Sequence, residues 1–244
     1  MGIKLGYLII EGTRKCNMKC AHCLRGNAQR VNMDNSVADI VTRQVDSIYN
    51  ITFTGGEPSL NTEIIRNFQY GFMFNDCTIN SFWITTNARF YKENFVDVLN
   101  DLYSICQEKD ECCLTISGDQ YHFNQSQRAI DEYSSLSFFS DERMKMIDDW
   151  NLINEGMAKK NQFGARDITP RKTISDYSIF DDDLYIDDTV YINALGDVLL
   201  NSDLSYRTQK KCAIGNVFKE SLKDIFCRAL DCEGRRRMLY EELF

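Results

Sequence analysis

Three cysteines near the amino terminus have the spacing of an iron–sulfur site. Cys16, Cys20 and Cys23 form a C-x3-C-x2-C pattern in a polar loop that follows a predicted strand over Tyr7 to Ile10. Three closely spaced thiolates can bind three irons of a [4Fe–4S] cubane and leave the fourth iron without a protein ligand. The pattern therefore predicts a cluster with one coordination position open to a cofactor or substrate.

Two other interpretations of these cysteines stay open. One is a structural zinc site, which normally has four ligands, and His22 between two of the cysteines is poorly placed to complete a tetrahedron. The other is that the cysteines are reduced and bind nothing, although such residues would not need to cluster among Arg14, Lys19 and Arg25. An iron–sulfur cluster is the favoured hypothesis.

The run from Cys16 to Cys23 resembles the signature of the radical S-adenosylmethionine superfamily. The resemblance implies that the three cysteines are the catalytic centre and bind a [4Fe–4S] cluster. An electron donor such as flavodoxin or ferredoxin would reduce this cluster. The reduced cluster would cleave S-adenosylmethionine to a 5′-deoxyadenosyl radical, which abstracts a substrate hydrogen atom. His22 stands where members have an aromatic residue against the adenine, and its imidazole offers a similar flat face.

A glycine-rich turn follows the second predicted strand, in the run Thr54-Gly55-Gly56-Glu57-Pro58. Glycines permit close backbone approach, and a glutamate offers a carboxylate to an ammonium group. By itself such a turn is often an ordinary strand-to-helix connection. Its position after the cysteine loop resembles the superfamily's site for the amino group of S-adenosylmethionine, so Gly55, Gly56 and Glu57 are candidate cofactor ligands.

Polar residues end the third and fourth predicted strands. The resemblance implies that these strand ends contact the ribose and carboxylate of S-adenosylmethionine, which makes Asn87, Ser117 and Asp119 candidate cofactor ligands. Residues of these types are also common in plain turns. His122 follows on the predicted substrate side, where it is a candidate catalytic proton donor or acceptor or a substrate contact; the alternative is a hydrogen-bonded loop histidine.

Hydrophobic periodicity predicts the elements that position these residues. Helical spacing begins at Ser36, with a capping box to Asp39 and an apolar face that extends to Ile48, and recurs over 64–72 and 95–102. Short apolar runs predict strands over 7–10, 51–54, 81–85 and 113–116. Strands separated by helices favour right-handed β-α-β units and a parallel sheet with ligand sites at the carboxyl ends of its strands.

Combined with the resemblance, the predicted fold is α/β: a partial (β/α)6 TIM-type barrel of parallel strands plus a small carboxyl-terminal hairpin and helix. Residues 1–185 are assigned to the barrel and residues 186–244 to the hairpin and closing helix. The pattern after residue 121 predicts a helix over 126–136, a fifth strand over 146–153, a solvated acidic loop over 181–188, a hairpin over 189–200 and a helix over 221–230. The run Glu155-Gly156-Met157-Ala158 looks like a degenerate form of a segment that follows the fifth strand in the superfamily.

The carboxyl-terminal region resembles a reduced form of the auxiliary domain of peptide-modifying members. Its Cys212, Cys227 and Cys232 could bind a second iron–sulfur cluster, or one of them could donate a hydrogen atom to a substrate radical. The favoured interpretation is that they pack as small hydrophobes.

Composition limits the classes of partner. The chain has 244 residues, 43% of them hydrophobic, which suits one substantial core. The formal net charge of −8 argues against a nucleic-acid partner, because such binding depends on clustered Lys and Arg. There is no apolar run long enough to span a membrane and no signal-peptide pattern, so we expect a cytoplasmic protein whose ten cysteines stay reduced.

Three functions are consistent with these features. The first is a radical enzyme that modifies a peptide by epimerisation or cross-linking, although a small-molecule substrate also fits. The second is an activase that places a glycyl radical on a partner enzyme. The third is a non-catalytic iron–sulfur sensor or scaffold.

Overall fold

The computed structural model describes residues 2–231 and 233–234, which form a nine-stranded sheet with helices. The strands are β1 (Ile3–Thr13), β2 (Ser47–Gly55), β3 (Thr78–Thr86), β4 (Cys113–Ile116), β5 (Phe139–Ser140), β6 (Tyr177–Phe180), β7 (Asp183–Ile192), β8 (Asp197–Leu199) and β9 (Gly215–Asn216). The α-helices are α1 (Ser36–Thr42), α2 (Thr62–Phe74), α3 (Glu93–Ile105), α4 (Gln127–Ser134), α5 (Gly156–Lys160), α6 (Tyr206–Cys212) and α7 (Leu222–Ala229). Over these residues, no helix is both long and apolar enough to cross a bilayer.

The strand order is β5-β4-β3-β2-β1-β7-β8-β9, with β6 paired to β7. Strands β1 to β5 are mutually parallel, and β7 joins them as a parallel neighbour of β1. The remaining pairs are antiparallel. The parallel arrangement confirms the predicted fold class, and it gathers the carboxyl ends of the parallel strands at one edge of the sheet.

The two faces of the parallel sheet have different surroundings. Successive side chains of a strand point to opposite faces. One set belongs to the main hydrophobic core with α2 and α3, and its members are almost fully buried: Leu8, Ile10, Ile51, Phe53, Phe82, Ile84, Leu114, Phe68 and Phe95. Side chains of the other set, among them Ile9, Thr52 and Trp83, line a cavity. The core holds the strands, each buried aliphatic side chain contributing about 1.5–3 kcal/mol, and leaves the opposite face for a ligand.

The first helix is shorter than predicted. It ends at Thr42, and Ile48 belongs to β2, where it pairs with Leu5 of β1. The predicted capping box is also wrong: Asn35 is the N-cap and its side chain makes no capping hydrogen bond, and Asp34 Oδ1 accepts a hydrogen bond from the backbone nitrogen of Ser36 at 2.9 Å. The position of Ile48 fits the spacing of the helix by coincidence, because its backbone pairs with β1 in the sheet.

The predicted fifth strand is also misplaced. The fifth strand is Phe139–Ser140, which pairs with Leu114 and Thr115 of β4. The segment 146–153 contains a short 3-10 helix over Asp149–Asn151 instead. Two of its apolar residues do not reach the core, since Met146 is 74% exposed and Trp150 is 69% exposed.

The acidic stretch forms a hairpin and not a solvated loop. Asp181 and Asp182 are its turn, with φ of +49° and +62°, and Asp183 begins β7. The carboxylate of Asp183 binds Lys4 Nζ of β1 at 2.9 Å. The predicted boundary between residues 185 and 186 lies inside β7, and the division into two units stays a prediction. The later predictions of a helix near 126–136, a hairpin near 189–200 and a helix near 221–230 are confirmed by α4, by β7 with β8, and by α7.

Candidate active site

A cavity of about 520 Å³ lies at the carboxyl ends of β1 to β4. It is lined by every site residue predicted from the sequence except Glu57: Cys16, Cys20, His22, Cys23, Gly55, Gly56, Asn87, Ser117, Asp119 and His122. These residues come from separate loops that the parallel sheet brings to one edge. The volume lies within the range of about 300–1,000 Å³ that cofactor sites occupy.

The cysteine loop combines tight turns with a backbone donor to one of its sulfurs. Tight backbone turns shape it, with Cys23 N donating to Cys20 O at 3.2 Å and Gly26 N donating to Cys23 O at 3.3 Å. Met18 N donates to Cys16 Sγ at 3.4 Å, an arrangement that favours a thiolate. Burial and the neighbouring Cys23 and Cys16 raise the pKa of Cys20 to about 12, so binding of a cation would have to release a proton.

The three cysteine sulfurs are not gathered around one point in this structure. Within the described ranges, the group of three metal-ligating side chains whose ligand atoms lie within 4.8 Å of one another is His22, Asp119 and His122, and the cysteine triplet does not form such a group. Ligands of one zinc ion at about 2.3 Å would place their sulfurs about 3.8 Å apart. The three sulfurs therefore do not lie as close together as the ligands of a single zinc ion would.

The glycine-rich turn packs directly against the cysteine loop. Gly56 N donates to Thr13 O at 2.8 Å. A Cβ on Gly55, whose φ is +145°, would lie 2.0 Å from Thr13 O, and one on Gly56 would lie 2.2 Å from Lys15 O. Only glycine permits this approach, so the turn fixes the backbone that leads into Cys16 while its own backbone lines the cavity.

The carboxylate of Glu57 is turned into the protein. Its side chain is 1% exposed and accepts hydrogen bonds from Thr86 Oγ1 at 2.7 Å, Ser59 N at 3.2 Å and Asn87 N at 2.8 Å. Burial raises the pKa of Glu57, although these hydrogen bonds oppose the shift. The residue ties the end of β2 to the end of β3 and positions Asn87. Direct binding of an ammonium group by Glu57 stays a prediction.

We expect Glu57→Gln to lower the free energy of unfolding by about 1–3 kcal/mol, because an amide nitrogen would replace one acceptor of three buried hydrogen bonds. Urea unfolding of the two proteins measures this change. The matched control is Glu63→Gln, because Glu63 accepts only an exposed hydrogen bond from Asn35 Nδ2 at 2.7 Å, and we expect a change below about 0.5 kcal/mol. Equal stability of the two variants would contradict the assigned role.

Two histidines, a tyrosine and an aspartate form one wall of the cavity. The His22 ring stacks on Tyr121 with a centroid distance of 4.4 Å, and the His122 ring lies edge-on to His22 at 5.1 Å. Asp119 Oδ1 lies 2.8 Å from His122 Nδ1 and accepts from Tyr121 N at 2.9 Å. Burial alone would raise the pKa of Asp119, but the hydrogen bond and charge of His122 outweigh it and lower that pKa.

This wall has polar groups available for a ligand. Nδ1 of His22 is buried without a hydrogen-bond partner, an unusual state for a buried nitrogen. Burial lowers the pKa of His22, so its imidazole is neutral at pH 7. Asn87 and Ser117 also line the cavity; Asn87 Nδ2 donates to Asn17 Oδ1 at 2.9 Å, and Ser117 N donates to Thr86 O at 2.9 Å. A flat neutral ring, an oriented His–Asp pair and strand-end polar groups suit a polar cofactor with an aromatic base.

Parts of the wall were not predicted from the sequence. Ser202 and Asp203, which follow β8, line the cavity, as do Arg25 and Arg143. The 155–158 segment also reaches the cysteine loop, where Met157 N donates to Cys23 O at 2.7 Å. No pattern in the sequence predicts that Arg143, Ser202 and Asp203 line the cavity, whereas residues 155–158 are singled out by their resemblance to a superfamily segment.

The carboxyl-terminal cysteines pack in two different places. Cys212 is 6% exposed and belongs to a small cluster with Tyr191, Leu199 and Leu204. Cys227 packs against the main core, and Cys232 lies outside the described residues. Packing accounts for the first two, and a second cluster or a hydrogen-atom donor stays a prediction.

Comparisons with known proteins identify a matching family and a matching fold. The model of the family "4Fe-4S single cluster domain" matches residues 6–130. An uncharacterized protein of Methanocaldococcus jannaschii, MJ0907, is 30% identical over 101 residues, which cover 39% of this chain and 35% of that protein. The aligned region thus spans about a third of the archaeal protein.

Two solved structures share the fold, each with a TM-score of 0.57 and 13% identity. Native anSMEcpe with bound AdoMet and Cp18Cys peptide is matched over 93% of this chain and 80% of that chain. The same protein with Kp18Cys peptide is matched over 91% and 80%. This likeness confirms the predicted partial barrel of parallel strands.

Proposed function

This chain belongs to the 4Fe-4S single cluster domain family, and from that premise we propose that it is a radical S-adenosylmethionine enzyme with its cluster on Cys16, Cys20 and Cys23. The proposal depends on the observation that three separate motifs meet in one place. The three cysteines, the glycine-rich turn and the polar strand ends of β3 and β4 line one cavity. A cluster alone would not need the strand-end groups, whereas a cluster with a nucleoside-bearing cofactor would use both.

Different residues of the cavity would bind different parts of that cofactor. We assign its amino group to the backbone of Gly55 and Gly56, which lines the cavity, and its adenine to the face of the neutral His22 ring. Asn87 and Ser117 offer polar contacts at the strand ends. When bound, the cluster and S-adenosylmethionine supply one-electron chemistry that removes a hydrogen atom from a substrate. The protein's share is to orient the cofactor and exclude water.

His122 is the proposed proton-transfer group. Asp119 holds its Nδ1 at 2.8 Å, which fixes the ring and leaves Nε2 for exchange with a substrate in the cavity. The His122 side chain is only 13% exposed, so a proton held there is largely shielded from bulk water. This arrangement suits a reaction in which a substrate group gains or loses a proton beside the radical step.

A peptide is the proposed substrate, modified by epimerisation or cross-linking. The structural neighbour anSMEcpe was solved with peptides bound, which supports this choice. The segment 143–152 supports it too. It supplies Arg143, Ile147 and Asn151 to the cavity while leaving Met146 and Trp150 exposed beside them. Exposed apolar side chains next to the cavity could contact the part of a substrate peptide that extends beyond the reacting residue.

The test is anaerobic reconstitution with iron and sulfide, followed by reduction with dithionite in place of a flavodoxin or ferredoxin donor. We expect about four irons per chain and formation of 5′-deoxyadenosine from S-adenosylmethionine. About eight irons would instead support a second cluster at Cys212, Cys227 and Cys232. If the protein holds its cluster but forms no 5′-deoxyadenosine with any peptide or small-molecule candidate, the enzyme proposal is refuted and a sensor is favoured.

A further inference from the structure

The cation Arg25 lies where the cysteine loop meets the carboxyl-terminal part of the chain. It follows Cys23 by two residues and lines the same cavity. Its Nη1 donates to the backbone oxygens of Ser202 at 2.5 Å and Leu204 at 2.7 Å. Its guanidinium also lies over the ring of Tyr191 at 5.0 Å. Two backbone oxygens and one aromatic face therefore hold this charge at a fixed place beside the cysteines.

The charge of Arg25 is not cancelled by a direct ion pair. Within the described part of the chain, no carboxylate lies within 4.0 Å of its nitrogens. Arg14, a buried arginine at the start of this loop, is different because its Nε binds Glu11 at 2.6 Å. Asp203 lies in the same cavity wall as Arg25, but its carboxylate pairs with Arg166 at 3.9 Å.

We propose that Arg25 sets the reduction potential of the cluster by stabilising its reduced, more negative form. A partly buried positive charge acts more strongly than a solvated one, because less water screens it. Nearby charge and solvent exposure are among the factors that tune iron–sulfur potentials. The residues after β8 take part through Ser202 and Leu204, which hold Arg25 in place. The inference rests on the proposed cluster but not on cleavage of S-adenosylmethionine.

The test compares Arg25→Gln, Arg25→Lys and wild type as reconstituted full-length proteins. Midpoint potentials are measured by a dye-mediated redox titration followed by electron paramagnetic resonance, without S-adenosylmethionine, and iron per chain is determined in parallel. We expect a more negative potential for Arg25→Gln and a potential nearer wild type for Arg25→Lys, which keeps the charge. Arg43→Gln is the control, because Arg43 pairs with Asp39 at an exposed surface and should leave the potential unchanged.

A second variant keeps the test decisive if Arg25→Gln fails to hold iron. Asp203→Asn removes a negative charge from the same wall, and we expect a less negative potential. A wild-type potential in Arg25→Gln with full iron content overturns the proposal, as does an unchanged potential in Asp203→Asn when Arg25→Gln cannot be loaded. A shifted potential without formation of 5′-deoxyadenosine would refute the proposed enzyme activity and leave this inference standing.

Discussion

Replacement of Cys16, Cys20 or Cys23 by serine is expected to reduce iron from about four per chain to below about one. In the proposed site each cysteine supplies one of three protein ligands, and a serine hydroxyl is a far weaker ligand for iron than a thiolate. Loss of an outer contact to a metal ligand already costs about 10- to 100-fold in affinity or activity. Loss of a ligand itself should therefore lower formation of 5′-deoxyadenosine by more than about 100-fold.

Iron analysis and product quantification on anaerobically reconstituted proteins measure these losses. The matched control is Cys113→Ser, because Cys113 is a partly buried residue in the first position of β4 and does not line the cavity. It should retain iron and activity. A Cys20→Ser protein with a full complement of iron would exclude the assigned ligand set, and zinc in the wild-type protein would exclude the cluster itself.

Strands β1 to β4 and helices α2 and α3 could be predicted from the sequence because their apolar residues repeat with one clear period. The end of α1 could not, since Ile48 extended the helical period across a strand that pairs with β1. Strand β5 could not either, because two residues are too few to show a period. A local sequence pattern identifies an element only when the element is long enough for its apolar residues to repeat. The position of a shorter strand is decided by the strand it pairs with.

The candidate site shows the same division. The cysteine triplet and the glycine turn could be predicted because each lies within one short segment. The direction of the Glu57 side chain could not, because it depends on Thr86 and Asn87 of the next strand. The cavity wall from Ser202 and Asp203 lies about 180 residues from the cysteines, and no pattern in the sequence predicts that contact.

A buried network around Glu11 joins the start of the cysteine loop to the carboxyl-terminal elements. Glu11 is 0% exposed, and its carboxylate binds Arg14 Nε at 2.6 Å and Tyr191 OH at 2.6 Å. It also accepts from Gln209 Nε2 at 2.8 Å and Ala194 N at 3.1 Å. Arg14 in turn donates to Gln209 Oε1 at 2.7 Å. Four donors satisfy the Glu11 carboxylate. The cost of burying the charges of Glu11 and Arg14 is offset only while both residues are present.

Glu11→Leu should therefore destabilise the protein by about 3–5 kcal/mol, because it leaves Arg14 as a buried charge without its partner. For a chain of this size that corresponds to a melting temperature about 6–20 °C lower, measured by circular dichroism under anaerobic conditions. The double variant Glu11→Leu with Arg14→Met removes both charges and should recover part of the loss. Asp39→Asn, at the exposed pair with Arg43, should change stability by less than about 1 kcal/mol. If Glu11→Leu has the same melting temperature as Asp39→Asn, the network does not anchor the cysteine loop to the carboxyl-terminal elements.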